Sequence, residues 1–329
     1  MKFLVAGAGG FIGGHFVKRL QIEGHKVICV DIKKKEDWFQ LFDSNQNVSL
    51  DLKDLDNCIS VTKDVDYVIN LACNMGGMGF IENNRAECML SVLINTNLLR
   101  ASLKNKIKRY LFSSSACVYN TEMQKNSFVK GLKEKDAYPA MPEDGYGWEK
   151  LFSERMCRHF YEDYGLEVRI ARYHNVYGPE GTFDGGREKA PAALCRKVIQ
   201  AKLTKKNFIN VWGDGEQTRS FLYIDDCIDG SMKIFESNFT NVFNVGSEEQ
   251  VSINQLIDTI EIIANYKLER KYDLSKPKGV RGRSSDNTLI KKSLGWSPKF
   301  SLSDGLKNTY KWIYKRLSEN HDNKKFSNY

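Results

Sequence analysis

The string Tyr146-Gly147-Trp148-Glu149-Lys150 sets a phenol and an ammonium four residues apart. On a helix that spacing puts both groups on one face, so they can address one ligand together. Tyrosine ordinarily titrates near pH ~10, too high for a base at neutral pH, but a neighbouring ammonium and a cationic nicotinamide would both favour the phenolate. Tyr146 can then take a proton from a hydroxyl while hydride leaves the same carbon. Upstream, Ser113-Ser114-Ser115 closes an apolar run. Ser115 can complete the hydrogen bonding of that hydroxyl, or it is a turn residue and nothing more. Near the start stands Gly7-Ala8-Gly9-Gly10-Phe11-Ile12-Gly13. Small residues there let the backbone turn sharply and approach a pyrophosphate, and the helix that follows offers N–H donors and positive dipole to it.

Gly7, Gly10 and Gly13, with Phe11 and Ile12 opening the helix, resemble the fingerprint of the extended short-chain dehydrogenases/reductases. Asp31 follows about twenty residues on, where a carboxylate accepts from ribose hydroxyls and repels a 2′-phosphate. NAD is therefore expected over NADP, although Lys33, Lys34 and Lys35 weaken the preference. Asp51 resembles the family's adenine-contacting position; read without the resemblance, it is a helix cap.

Placing these groups together takes a strand before each one. Apolar, β-branched runs at Lys2–Ala6, Lys26–Asp31, Tyr67–Ala72, Arg109–Ser114 and Glu167–Arg172 alternate with helix-length stretches at Ile12–Glu23, Asn83–Lys104 and Gly145–Tyr164. Alternation of this kind predicts an α/β fold, a Rossmann-type doubly wound parallel sheet. Past residue 174 glycine, proline and charge cluster and the rhythm changes. The division expected is an NAD-binding domain over 1–174 and a smaller α/β, mainly substrate-binding region over 175–318, interleaved with the first. A polar tail is expected over 319–329.

The chain has 329 residues and a net charge of +8, with basic residues dispersed among acids. No basic run is interleaved with aromatics, so nucleic acid is not expected as a partner. The eight cysteines form no CxxC pair and are spaced too irregularly for a zinc ribbon or a disulfide scaffold, so no metal is expected. They suit a reduced, cytoplasmic setting. No apolar run is long enough for a transmembrane helix, and the first glycines do not read as a signal peptide.

A Rossmann module with Ser, Tyr and Lys fits a dehydrogenase, a 4-epimerase, a 4,6-dehydratase or a 3,5-epimerase. The position two beyond Ser115 separates them, since dehydratases usually carry an acid there. Here it is Cys117, a base if a cation lowers its pKa, or otherwise a buried small residue. Three longer strings, Met75-Gly76-Gly77-Met78-Gly79-Phe80, Gly185-Gly186-Arg187-Glu188-Lys189-Ala190-Pro191 and Gln217-Thr218-Arg219-Ser220-Phe221, together with Arg281-Gly282-Arg283-Ser284-Ser285, resemble the GDP-mannose 3,5-epimerase family from the first strand to the last helix. That resemblance implies Cys117 as base and Lys189 as acid, with Tyr146 and Lys150 running the redox step. It implies that Gly77, Asn175, Glu188, Ala190, Lys197, Gln217, Arg219 and Arg283 join Ser115, Cys117 and Lys189 around a nucleotide sugar, a GDP-sugar by the resemblance alone, and that the protein is a homodimer. Without it, Arg219 and Arg283 read equally as surface ion-pair residues, and Met75–Phe80 as a flexible connection. Buried opposite charges would favour a Cys117 thiolate beside a Lys189 ammonium. Two positions depart from the pattern, Asn74 and Asn120. Asn74 borders the expected sugar pocket and admits a related GDP-sugar, such as a deoxy sugar or a heptose.

Overall fold

The computed structural model describes residues 1–43, 45–276 and 279–322. The apolar runs form parallel strands β1 Lys2–Ala6, β2 Lys26–Asp31, β3 Gln46–Ser49, β4 Tyr67–Asn70, β5 Arg109–Ser115 and β6 Val168–Tyr173. A seventh strand, Val242–Val245, joins from far along the chain. The order across the sheet is Val242–Val245, β6, β5, β4, β1, β2, β3, with every neighbouring pair parallel. The chain winds one way from β1 and the other way from β4, which opens a crevice above their carboxyl ends. Asp31 ends β2 at that edge, and Gly7, Cys73 and Cys117 lie just past the ends of β1, β4 and β5.

The helices of the first half are α1 Phe11–Ile22, α2 Leu55–Val61, α3 Met78–Asn83, α4 Arg85–Met89, α5 Ser91–Lys104 and α6 Tyr146–Tyr164. The single helix expected over Asn83–Lys104 is instead broken at Asn84, whose φ of −134° and ψ of 44° are not helical. Its side chain donates to the carbonyl of Phe80 at 2.9 Å, closing α3. Asp51 does not cap α2, because the Asp54 carboxylate accepts from the backbone of Asp56 and Asn57.

The later half contributes α7 Ala190–Leu203, α8 Ile224–Glu236, α9 Ile253–Ala264, α10 Thr288–Leu294 and α11 Leu302–Asp322. Helices α7, α9 and α11 pack on one another, while α8 packs on α1 and β6. Strand Phe208–Trp212 pairs with Glu269–Asp273. Thr218–Ser220 sits between Gln250–Ser252 and Gly282–Arg283. One hydrophobic core runs from Phe3, Val5 and Phe16 through Ile224 and Phe243 to Leu256, Leu306 and Ile313, so buried side chains join the two halves without a break. The opposite sheet face has its own core around Leu4, Val30, Leu98 and Phe112. The expected polar tail is helical over 319–322, and 323–329 lie outside the described residues.

Behind the sheet's upper edge a buried ion pair locks three elements. Arg172 of β6 donates to both Glu154 carboxylate oxygens of α6, at 2.8 and 2.7 Å, and Ser114 of β5 donates to the same carboxylate. The Arg172 guanidinium also lies 5.1 Å from the Tyr119 ring centroid. Removing one partner of so buried a pair ordinarily costs about 3–5 kcal/mol, because the other charge stays behind uncompensated.

Candidate active site

The turn after β1 is built for close approach. Gly7 has φ +82°, and its N–H donates to the Val30 carbonyl at 2.8 Å. A Cβ on Gly13 would collide with the Gly7 carbonyl oxygen, so α1 can begin this near β1 only with glycine there. The Gly10 N–H donates to the Gly7 carbonyl at 3.1 Å, and Phe11 packs its ring beneath Gly178 and Gly181. Ile12 packs against the larger core. Asp31 ends β2, 8% exposed, and one carboxylate oxygen accepts from the Lys33 backbone at 3.0 Å. Asp51 lies after β3, where its side chain accepts from the Lys53 backbone at 2.9 Å. A bare turn on an α1 N-terminus with an acid at the end of β2 fits the pyrophosphate and ribose of NAD.

Tyr146 opens α6 after Gly145, whose φ of +62° only glycine adopts at no cost. Lys150 follows one turn later, fully buried, its ammonium 5.6 Å from the Tyr146 ring centroid and 3.5 Å from the Glu149 carboxylate. Burial alone would lower the Lys150 pKa, but Cys73 and Glu149 more than offset it and hold the ammonium. The Tyr146 phenol is pushed well up, first by burial and then by Cys73, Cys117 and Glu149. The expected phenolate is therefore not favoured in the protein alone, because burial and then the neighbouring thiols and the Glu149 carboxylate outweigh the nearby ammonium. Ser115 fills both readings at once. Its hydroxyl hydrogen-bonds Tyr146, and it also accepts from the Cys117 backbone at 3.2 Å as the cap of the turn Ala116–Val118.

A cavity of about 320 Å³ opens beside Tyr146. Ser115, Cys117 and Tyr146 line it from the sheet edge, and Glu188, Lys189 and Ala190 from the start of α7. Asn175, Lys197, Gln217 and Arg219 line it from the later half, Gly77 from the loop before α3 and Arg283 from its short strand. The fold thus gathers every residue expected for substrate into one space. Arg283 is no surface residue. It is 3% exposed, pairs with Glu143 at 3.1 Å, and reaches the Cys117 sulfur at 3.6 Å. The Arg219 guanidinium donates to the carbonyls of Thr218 and Val280, both at 2.7 Å. Lys197 donates to the Asn210 carbonyl at 2.8 Å, with its ammonium 5.9 Å from the Trp212 ring centroid. Asn175, at φ +43°, donates to the Ser220 carbonyl at 3.0 Å, and Gln217 to that of Trp212 at 3.1 Å.

The electrostatics correct one expectation. The Cys117 thiol is pushed up to about 11, by burial first and then by the Glu143 carboxylate, against the opposing Arg283 charge. Lys189 is pushed down by burial, with only cysteines raising it. In the protein alone the pair rests as thiol and weakened ammonium, not as thiolate and firm ammonium. The reason is burial first, and for Cys117 also Glu143, an acid that the Cys117 spacing gave no hint of.

Gly77 is needed for a nearer neighbour than a ligand, since a Cβ there would lie 2.5 Å from the Glu188 carbonyl oxygen. Its N–H donates to the Arg187 carbonyl at 3.0 Å. The Arg187 guanidinium lies 3.9 Å from the Phe80 ring centroid and donates to the Asn74 side chain at 3.0 Å and the Met75 carbonyl at 3.2 Å. Asn74 thus ties two glycine-rich loops together and does not line the cavity. Asn120 is structural: it accepts from Glu122 N–H at 2.9 Å and donates to the Pro139 carbonyl at 3.0 Å. The sequence assigns no role to Glu143, Glu149, Cys73, Arg187 or Trp212. Glu149 and Arg187 stand inside motif strings, yet each of the five is recognised only by what it touches.

A doubly wound sheet, a glycine turn and acid at its nucleotide end, and a Tyr–Lys pair beside a cavity define an NAD-binding enzyme of the short-chain dehydrogenase/reductase type. Residues 3–246 match the NAD dependent epimerase/dehydratase family, and the chain belongs to it. NAD is its cofactor. GDP-mannose 3,5-epimerase 1 of Oryza sativa subsp. indica is 45% identical over 320 residues, 97% of this chain and 83% of that protein. GDP-mannose 3,5-epimerase of Arabidopsis thaliana is likewise 45% identical, over 97% of this chain and 84% of its own. Among solved structures, UDP-glucose 4-epimerase of Thermotoga maritima superposes with a TM-score of 0.87 at 28% identity, covering 96% of this chain and all of that one. UDP-glucuronic acid 4-epimerase of Bacillus cereus, in complex with UDP-glucuronic acid and NAD, gives 0.82 at 28%, covering 96% of this chain and 100% of that one.

Proposed function

We propose that this protein is a nucleotide-sugar epimerase that takes GDP-mannose or a close GDP-hexose and inverts it at C3 and C5. The observation that carries this reading is the meeting of Cys117, Lys189 and Tyr146 on one cavity, two proton-transfer groups beside a redox phenol. The curated relatives at 45% identity bear the same activity in their names. NAD, held by the Gly7–Gly13 turn, Asp31, Asp51, Tyr146 and Lys150, supplies reversible redox chemistry at C4. Tyr146 removes the proton of the C4 hydroxyl, with Ser115 orienting that oxygen and the cationic nicotinamide of bound NAD adding to the Lys150 charge to favour the phenolate. A ketone at C4 acidifies the protons at C3 and C5, and Cys117 and Lys189 move them, one group taking and the other returning. Arg219, Arg283 and Lys197 offer cations to the diphosphate. Gln217, Asn175 and the backbone at Gly77, Glu188 and Ala190 fix the rest of the sugar nucleotide.

In this reading residues 1–174 mainly hold the cofactor and 175–318 mainly the substrate. The assembly is a homodimer, supported by apolar side chains left exposed on adjacent helices: Met89, Leu90 and Leu93 along α4 and α5, Trp148 and Phe152 on α6. Eight free cysteines support a cytoplasmic setting. No helix among the described residues is long and apolar enough to cross a membrane.

The test is incubation with GDP-mannose in heavy water, following deuterium at each sugar carbon by NMR. Incorporation at C3 and C5 with new GDP-hexoses is the expected result. Incorporation at one carbon alone makes it a single-site epimerase. None, with NAD bound, rules out GDP-mannose as substrate.

A further inference from the structure

At the cavity wall Cys117 and Arg283 meet Glu143, a carboxylate that the redox and substrate machinery leaves unexplained. Glu143 stands three residues before Tyr146, 8% exposed, on the loop that leads into α6. Its N–H donates to the Cys117 carbonyl at 2.9 Å, which pins the two segments together. Its two carboxylate oxygens meet Arg283, at 3.1 Å through one guanidinium nitrogen and 3.4 Å through the other. The nitrogen that reaches Glu143 at 3.4 Å also reaches the Cys117 sulfur at 3.6 Å. Arg283 is anchored from the far side by the Gln124 side chain, which accepts at 2.7 Å. One guanidinium therefore serves a carboxylate and a thiol together, out of water.

In such a site a charge already neutralised does little for a second anion. A thiol is turned into a thiolate by a cation that has no other anion to satisfy, and Arg283 has Glu143. We propose that Glu143 is a positioning residue for proton transfer: by claiming the Arg283 guanidinium it holds Cys117 as a thiol until an anionic ligand in the cavity competes for that guanidinium. This rests on the reading of Cys117 as a proton-transfer group. When the ligand draws Arg283 away, Glu143 is a buried carboxylate with less compensation. Its oxygens then gain proton affinity, the S–H bond of Cys117 breaks as its proton forms an O–H bond on Glu143, and the thiolate is held by the charge of the Lys189 ammonium in place of Arg283, with no change of oxidation state. The thiol is thus kept inert while the cavity holds no substrate.

The other groups facing the sulfur do not replace Glu143 in this role. Lys189 and Arg219 are cations that favour the thiolate, and Tyr146 and Ser115 are neutral hydroxyls. Glu143 is the carboxylate that acts most on the thiol, and it is held below its usual range because Arg283 and Cys117 outweigh its burial.

The experiment is iodoacetamide alkylation of the NAD-loaded protein without sugar nucleotide, with Cys117 modification followed by peptide mass spectrometry across pH. For the unaltered protein the expected midpoint lies well above 9; a midpoint below 8 overturns the proposal without any variant being made. Glu143→Gln frees Arg283 for the sulfur, so alkylation at pH 8 should rise at least tenfold and the midpoint should fall by more than one pH unit. Glu143→Asp keeps the charge and should keep the high midpoint. A Glu143→Gln protein that binds NAD normally yet alkylates no faster overturns the proposal. No substrate enters this measurement, so an inactive result with GDP-mannose would leave it standing, and its own failure would leave the epimerase reading standing.

Discussion

The Cα of Gly147 rests against the carbonyl oxygen of Cys117 so closely that any Cβ there would collide with it. The first turn of α6, which carries Tyr146, and the turn after β5, which carries Cys117, are thereby held as one unit. Gly147→Ala forces them apart. Overpacking of this kind costs about 1–3 kcal/mol, and turnover should fall far more than NAD affinity, since the glycine turn after β1 is untouched. Thermal melting, NAD titration and initial rates on one preparation check this.

Cys117→Ala and Tyr146→Phe should fail at different steps. The first removes a proton-transfer group, so deuterium exchange into the sugar ring should vanish while NAD stays bound. The second removes the redox base, and loss of such a group ordinarily lowers kcat by about 10²–10⁴-fold. Rapid-scan absorbance of bound cofactor separates them: the Cys117 variant should still reduce its NAD on adding sugar nucleotide, and the Tyr146 variant should not.

Gly13→Ala should destroy cofactor binding. The new methyl meets the Gly7 carbonyl oxygen and pushes α1 away from the turn it completes. Gly24→Ala, by contrast, has open space around it and a backbone φ of +78°, so it should lower stability and spare NAD affinity. Equal NAD affinity for the Gly13 variant and the unaltered protein, by calorimetry, would contradict this account of the turn.

His174 predicts part of the acid sensitivity. Burial, helped by Arg283 and Arg172 and opposed by its bond to Asn244 at 3.0 Å, brings its pKa down to about 3. The unfolded imidazole takes a proton near pH ~6.5 and the folded one does not. Stability from this site is thus complete above ~6.5 and is lost as the pH falls toward 3, by about 1.4 kcal/mol per pH unit. His174→Gln should show a smaller drop in melting temperature between pH 7.5 and 5 than the unaltered protein.

The exposed apolar side chains on α4, α5 and α6 predict a subunit contact. Trp148→Glu with Phe152→Glu should shift the sedimentation of the protein from dimer to monomer. An unaltered protein that sediments as a monomer at micromolar concentration would remove the homodimer from the proposal.

Much of this was legible in the residues. Strands β1 and β2 come from continuous apolar runs, as a strand covered on both faces favours, and β5 and β6 from shorter apolar runs that Ser113–Ser115, Arg169 and Arg172 interrupt. Helix α6 and its Tyr146–Lys150 pair follow from the four-residue period of a helix face, and the Gly7–Gly13 turn from the steric needs of a phosphate site. Other features depend on contacts between distant segments, which spacing does not encode. The strand Val242–Val245 enters the main sheet after an excursion through the later half, and its four residues carry no mark of that destination. Asn84 breaks a helix that its neighbours favour. The same holds for chemistry. Cys117, Lys189 and Tyr146 were visible as residue types, but the state of the thiol turns on Glu143 and Arg283, 140 positions apart and 3.1 Å from each other. A charge acts through space on whatever the fold brings within reach, so the sequence named the reacting groups and the tertiary structure alone decided where their protons rest.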